Sequence, residues 1–95
     1  MALFSIVCWD KPDALDQRLQ HRPDHVAYLK TVEDVIRLAG PALDDQGQMA
    51  GSLFVVEVAD KAAAQAFSDA DPFVQRGVFG KVEIRGFTKT MGSWS

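Results

Sequence analysis

One stretch near the start of the chain leaves little freedom in how the rest can fold. Ala2-Leu-Phe-Ser-Ile-Val-Cys-Trp9 is apolar at every position but Ser5, so neither side suits water. Short and rich in bulky or branched side chains, it reads as a strand. A strand apolar on both faces belongs in the middle of its sheet, with neighbours on either side.

The segments that follow supply those neighbours. Asp10-Lys11-Pro12-Asp13 breaks the apolar run and offers a cap for a short helical stretch from Ala14 to Gln20. Pro23 divides that stretch from a main helix. Proline is tolerated at a first helical position and biases the residue before it, here Arg22, toward an extended conformation. The helix is therefore expected to start at Pro23, with Asp24 near the positive end of its dipole. His25, Leu29, Val32 and Ile36 then recur at helical spacing, widened by Val26 and Val35. This places His25 in the first turn, at the edge of the buried face. The helix ends near Val35, and a short strand covers Arg37 to Ala42 around Gly40-Pro41.

Leu43 to Ala50 is a polar turn that leads through Gly51-Ser52 into a clear strand, Leu53 to Val58. There Phe54, Val56 and Val58 point one way and Leu53, Val55 and Glu57 the other. Asp60 caps a helix from Lys61 to Ala70, whose Ala63, Ala66, Phe67 and Ala70 form a compact stripe. Asp71-Pro72 ends it, Phe73 to Gly77 makes one helical turn, and Lys81 to Phe87 is a last strand with Val82 and Ile84 on one face. In the tail, Met91 to Ser95, Trp94 is large enough to dock on a neighbouring subunit.

The order β-α-β-β-α-β predicts an α+β fold of the ferredoxin-like type, a four-stranded antiparallel sheet with two helices on one face. With 95 residues, 47% of them hydrophobic, residues 1–95 can form one small domain with a real core. A chain this short buries only about 60% of its unfolded surface, so a second copy would help it. Leu3, Val7, Trp9, Leu53 and Val55 would face away from the helices. An apolar face of that kind marks an interface, and a homodimer closing sheet against sheet is expected.

Charge and cysteine content narrow the function classes. Net charge is −3 with both signs interspersed, and no basic stripe is present for nucleic acid. No run approaches the roughly 18 apolar residues that span a bilayer. The N-terminal apolar run lacks a positively charged leader and stops at Asp10, so it is not read as a signal peptide. The single cysteine, Cys8, excludes an intramolecular disulfide and fits a reducing cytoplasm; its apolar setting favours an inert buried thiol.

One constellation could carry chemistry. His25 beside Asp71 would make a general base at neutral pH, the carboxylate fixing the tautomer and balancing the imidazolium. The bland alternative has His25 packed at a helix edge and Asp71 simply capping the turn that starts at Pro72. His21 and His25, with Asp24, have the spacing of a metal-binding helix face, but Pro23 between them would leave His21 outside the helix, and no metal is expected. Arg22 could meet an anionic ligand at a helix N-terminus, or pair with Asp24 or Asp71 instead. Gly51 and Ser52 could present an N–H and a hydroxyl to the same pocket, or be only a strand-entry turn. Phe73 and Phe79 could wall that pocket, or be ordinary core.

Arg22-Pro-Asp-His25 with Val26 and Leu29, then Gly40-Pro41, Gly51-Ser52, Ala70-Asp-Pro-Phe-Val74 and Gly77-Val78, together resemble the YciI-like (YCII-related) family. The resemblance implies a ferredoxin-like fold in dimeric α/β-barrel assemblies, related to muconolactone isomerases and small cofactor-free monooxygenases. It also implies an active site on His25 and Asp71, with Arg22 and Ser52 nearby. The expectation is a small enzyme of lyase or isomerase type that uses no cofactor. His25 would take a proton from a small organic substrate, with an anionic or carbonyl group bound by Arg22 and Ser52. A non-catalytic ligand-binding or dimerisation module of the same fold is the alternative.

Overall fold

A computed structural model describes residues 1–93. Its elements run β1 (Ala2–Asp10), α1 (Leu15–Thr31), a 3-10 turn (Glu33–Val35), β2 (Ile36–Leu43), β3 (Met49–Val58), α2 (Lys61–Asp69), α3 (Pro72–Gln75) and β4 (Phe79–Phe87). The sheet order is β2-β3-β1-β4 with every pair antiparallel, the ferredoxin-like topology. The doubly apolar β1 is an interior strand, as its sequence requires. Trp94 lies outside the described residues.

Pairing register explains the two sheet faces. Phe4 stands opposite Val56, Ile6 opposite Phe54 and Cys8 opposite Ser52, and directly opposed residues share a face. This face meets the helices, and Ile6, Cys8, Phe54 and Val56 join Ala64, Phe67, Phe73 and Val78 in the core. The other parity, Val7 opposite Leu53 and Ser5 opposite Val55, faces away from the helices. There Trp9, Leu38 and Leu53 remain 46%, 45% and 40% exposed.

Several expected boundaries shift. Helix α1 does not begin at Pro23: it runs unbroken from Leu15 to Thr31 with Pro23 inside. Proline at that position withholds the hydrogen bond to the Leu19 carbonyl and costs about 3 kcal/mol in a helix interior. Leu19 and Pro23 both lie on the exposed side, where water can take up that carbonyl. On the opposite side Arg18 and His25, seven residues apart, are both buried, and their contacts hold the two turns in register. No side chain from Asp10 to Asp13 caps α1. Asp10 is instead ion-paired with Arg18.

Gly51-Ser52 is not a turn but the interior of β3. A Cβ at Gly51 would lie 2.3 Å from the Cys8 carbonyl oxygen, so the glycine permits close approach of β3 to β1. The polar turn contracts to the residues between β2 and β3, where Asp44 Oδ1 accepts from the Gln46 and Gln48 N–H groups at 2.9 Å. Asp60 caps α2 as expected, its carboxylate accepting from Ala63 N–H. The face that α2 buries is Ala64, Phe67 and Ser68, whereas Ala66 and Ala70 are exposed. Phe67, the one bulky residue, sets that face, and its neighbours at i−3 and i+1 follow it inward.

Candidate active site

Helix α1 and the short helix α3 meet at one pair of side chains. Asp71 is the N-cap of α3, and its Oδ1 accepts from the Phe73 backbone N–H at 2.9 Å. The same oxygen lies 2.8 Å from His25 Nδ1. Capping and pairing, which the residues offered as alternatives, are both made. His25 sits eleven residues into α1 rather than in its first turn, and is 7% exposed; Asp71 is 1% exposed. An oxygen that already accepts one N–H takes a second N–H, so Nδ1 carries the ring proton and Nε2 carries a lone pair when the ring is neutral. Every buried side-chain nitrogen or oxygen among the described residues has a partner, and Nε2 has none in the protein. Nε2 is therefore not fully buried, on a residue that lines the cavity.

Phe73 fixes the ring from one side. It stacks on His25 with centroids 4.0 Å apart and planes 13° apart. It is fully buried, so it backs the histidine instead of walling the cavity. Phe79 likewise belongs to the core, edge-on to Phe73.

The cavity, about 210 Å³, lies between α1 and the β2–β3 edge of the sheet. Helix α1 contributes Arg18, Arg22, His25, Val26 and Leu29, all on one helical face. The strands contribute Ala39, Gly40, Pro41, Ser52 and Phe54. Gly51 does not line it and gives its carbonyl, not its N–H, to the site: Arg18 Nη2 donates to Gly51 O at 2.7 Å and to Ser52 Oγ at 2.9 Å.

Arg18 is the residue that sequence reasoning missed. It is 2% exposed, with Nε and Nη2 donating to the two Asp10 oxygens at 2.7 and 3.0 Å and its guanidinium 4.6 Å from the Phe73 centroid. Its Nη1 has no protein acceptor, and since no buried side-chain nitrogen is unpartnered, Nη1 is not fully buried, on a residue that lines the cavity. Because Arg18 can only donate, Ser52 Oγ accepts from it, leaving the serine proton to a ligand. The available signal was an arginine one helical repeat of seven before His25, hidden once Pro23 was taken as a helix start.

Arg22 lines the cavity from an exposed position. It is mid-helix, so any anion it meets would be held by its side chain and not by a helix terminus. Neither expected partner is available: Asp24 pairs with Arg76 at 3.0 Å and Asp71 with His25. His21 is inside α1, at helical spacing from His25, but its Nδ1 accepts from Arg76 Nη1 at 3.0 Å. Among the described residues no group of three or more His, Cys, Asp or Glu is placed to hold a metal ion.

The buried charges leave a mark on their neighbours. Cys8 is pushed up to about 12, first by burial and then by the negative charge of Asp71. The Tyr28 hydroxyl, which donates to the Phe67 carbonyl at 2.7 Å, is also raised, by burial and then by Asp71.

Comparison with known proteins gives the chain a family and a fold. Protein YciI of Escherichia coli is 41% identical over 92% of this chain and 97% of its own length. An uncharacterized protein of Haemophilus influenzae is 33% identical over 90% of this chain and 96% of its own. Among solved structures, the 5-chloro-2-hydroxyhydroquinone dehydrochlorinase TftG of Burkholderia phenoliruptrix, in complex with 2,5-dihydroxybenzoquinone, superimposes with a TM-score of 0.86 at 28% identity. That match covers 93% of this chain and 95% of the enzyme's. An antibiotic biosynthesis monooxygenase shares the fold alone, with a TM-score of 0.56 at 17% identity over 96% of this chain and all of its own. The YCII-related domain model matches residues 2–88, and the chain belongs to that family.

Proposed function

We propose that this protein is a cofactor-independent enzyme of lyase or isomerase type, with His25 as the general base. One observation carries the reading: the Nδ1–Asp71 contact of 2.8 Å, which leaves Nε2 as a lone-pair nitrogen at a cavity. The reaction class follows from what such a base can do. Nε2 takes a proton from a hydroxyl or an activated C–H of the substrate, and Asp71 balances the imidazolium formed. The electron pair left behind forms a new π bond. From a C–H that pair joins the two carbons and expels a leaving group from the neighbouring one, completing an elimination. From an enol or phenol hydroxyl it becomes C=O, and the displaced C=C pair is protonated at carbon, completing an isomerisation. The base returns its proton to the leaving group, the substrate or water.

Negative charge that develops on a substrate oxygen needs donors already in place. Arg18 Nη1 and the Ser52 hydroxyl are suited to that role, because Asp10 and the Gly51 carbonyl hold the guanidinium before any ligand arrives. Gly51 and Phe73 support the site without touching the ligand. The TftG relative, an enzyme acting on a chlorinated hydroxyhydroquinone and bound to a dihydroxybenzoquinone, supports a small oxygenated ring as the substrate type.

The test is chloride release from 5-chloro-2-hydroxyhydroquinone. His25→Gln, which keeps a polar side chain of similar reach, should lower turnover at least about 100-fold without changing the circular dichroism spectrum. Undiminished turnover in the variant would overturn the role of His25.

We also propose that two copies associate through the helix-free sheet face, where Trp9, Leu38 and Leu53 are left exposed. A cytoplasmic location is part of the same proposal, supported by the unpaired thiol of Cys8.

A further inference from the structure

We infer that Arg22 sets ligand specificity and that the cavity takes a small organic monoanion. Its charge sits at Arg22, and its reacting oxygen sits at the Arg18–Ser52 end. The inference rests on the proposed site and deepens it by naming a ligand class.

The argument is one of charge balance. The chain carries a net charge of −3, yet no aspartate or glutamate is among the residues lining this cavity, while two arginines are. Two carboxylates stand behind the lining, each held by a residue of it. Asp10 holds Arg18 through both oxygens, and Asp71 stands ready for a protonated His25. Arg22 makes no hydrogen bond or ion pair among the described residues, and the carboxylate two positions on, Asp24, is taken by Arg76. With His25 neutral, Asp71 keeps its charge behind the ring and off the lining, so the one full charge on the lining itself without a partner is positive, and it belongs to Arg22.

Its position suits recognition better than chemistry. Arg22 is one helical turn from Arg18, about 6 Å along the axis, and is exposed where Arg18 is buried. An anionic group at Arg22 and an oxygen at Arg18 and Ser52 then lie toward the outer and inner ends of the cavity. Val26, Leu29 and Phe54 give a small ring an apolar surface to lie against. At about 210 Å³ the cavity is smaller than the roughly 300 Å³ at which drug-sized pockets begin, which favours a ligand with a single ring. A second full charge on the ligand would fall at the Arg18–Ser52 end, where Asp10 already balances the guanidinium, so it would gain less than the first. Being hydrated, Arg22 contributes a moderate preference, about tenfold, not an absolute requirement.

The experiment titrates the protein with 4-hydroxybenzoate, its uncharged counterpart 4-hydroxybenzamide, and the dianion terephthalate, following the backbone amide resonances of Ser52 and Phe54. The monoanion should bind about tenfold tighter than the amide, and terephthalate no tighter than the monoanion. Arg22→Gln should remove the preference for the monoanion, and Arg22→Lys should keep most of it. Four results would overturn the inference: equal affinity for benzoate and amide, a preference unchanged in Arg22→Gln, a dianion tenfold tighter than the monoanion, or no binding that moves Ser52 and Phe54. The titration reads binding alone, so its failure leaves the His25→Gln turnover test standing. A silent turnover test likewise leaves the charge preference intact.

Discussion

One carboxylate oxygen of Asp71 caps α3 through the Phe73 N–H and also holds the His25 ring, so local backbone structure and the candidate site share an atom. The same buried charge reaches Cys8, whose thiol, raised to about 12 by burial and then by Asp71, stays protonated in the folded protein far above the ordinary thiol value of 9.0. In the unfolded chain it ionises first. Between pH 9 and 12 the unfolded state therefore binds fewer protons than the folded one, and stability falls as pH rises, by about 1.4 kcal/mol per unit from this group. Urea unfolding from pH 8 to 10.5 should show a decline that is shallower in Cys8→Ala; parallel profiles would refute the assignment. Native Cys8 should also resist thiol reagents at pH 8 and react fully once unfolded. At this scale the residues offered the His25–Asp71 pair only beside the plain reading of Asp71 as a helix cap, since Asp before Pro is a common helix start. The family resemblance is what favoured the pair. Arg18 was not legible. A buried arginine is recognisable only through its partners, and Asp10, Gly51 and Ser52 lie 8, 33 and 34 residues away.

The elements themselves followed from alternation and capping, which are local. The strands β1, β3 and β4, the Asp60 cap and the α3 turn all sit where short-range patterns put them, with ends moved by a few residues. Helix α1 is where local signals lose. Proline at position 23 argues for a break, but two buried contacts seven residues apart, Arg18 on Asp10 and His25 on Asp71, fix one continuous helix. Pro23 then costs a hydrogen bond without making a compensating buried contact, since its ring is exposed. Pro23→Ala should therefore stabilise the protein by about 1–3 kcal/mol, seen as a rise in thermal midpoint. A lowered midpoint would mean that the proline shapes α1 in a way its helical neighbours do not reveal.

For the whole molecule, the two faces of the sheet divide the labour. The covered face builds the core and one wall of the cavity, and the bare face carries the proposed dimer contact. Light scattering at micromolar concentration should give a mass near twice 10.4 kDa, reduced toward one copy by Leu53→Glu. A wild-type monomer would refute the contact. The proposed function turns on one atom, Nε2 of His25, offering a free lone pair at the cavity. Long-range nitrogen–proton correlation spectra of the neutral histidine rings test that directly. The account predicts a proton on Nδ1 and none on Nε2. A ring protonated on Nε2 would have no lone pair to offer the cavity, and His25 could not be the base.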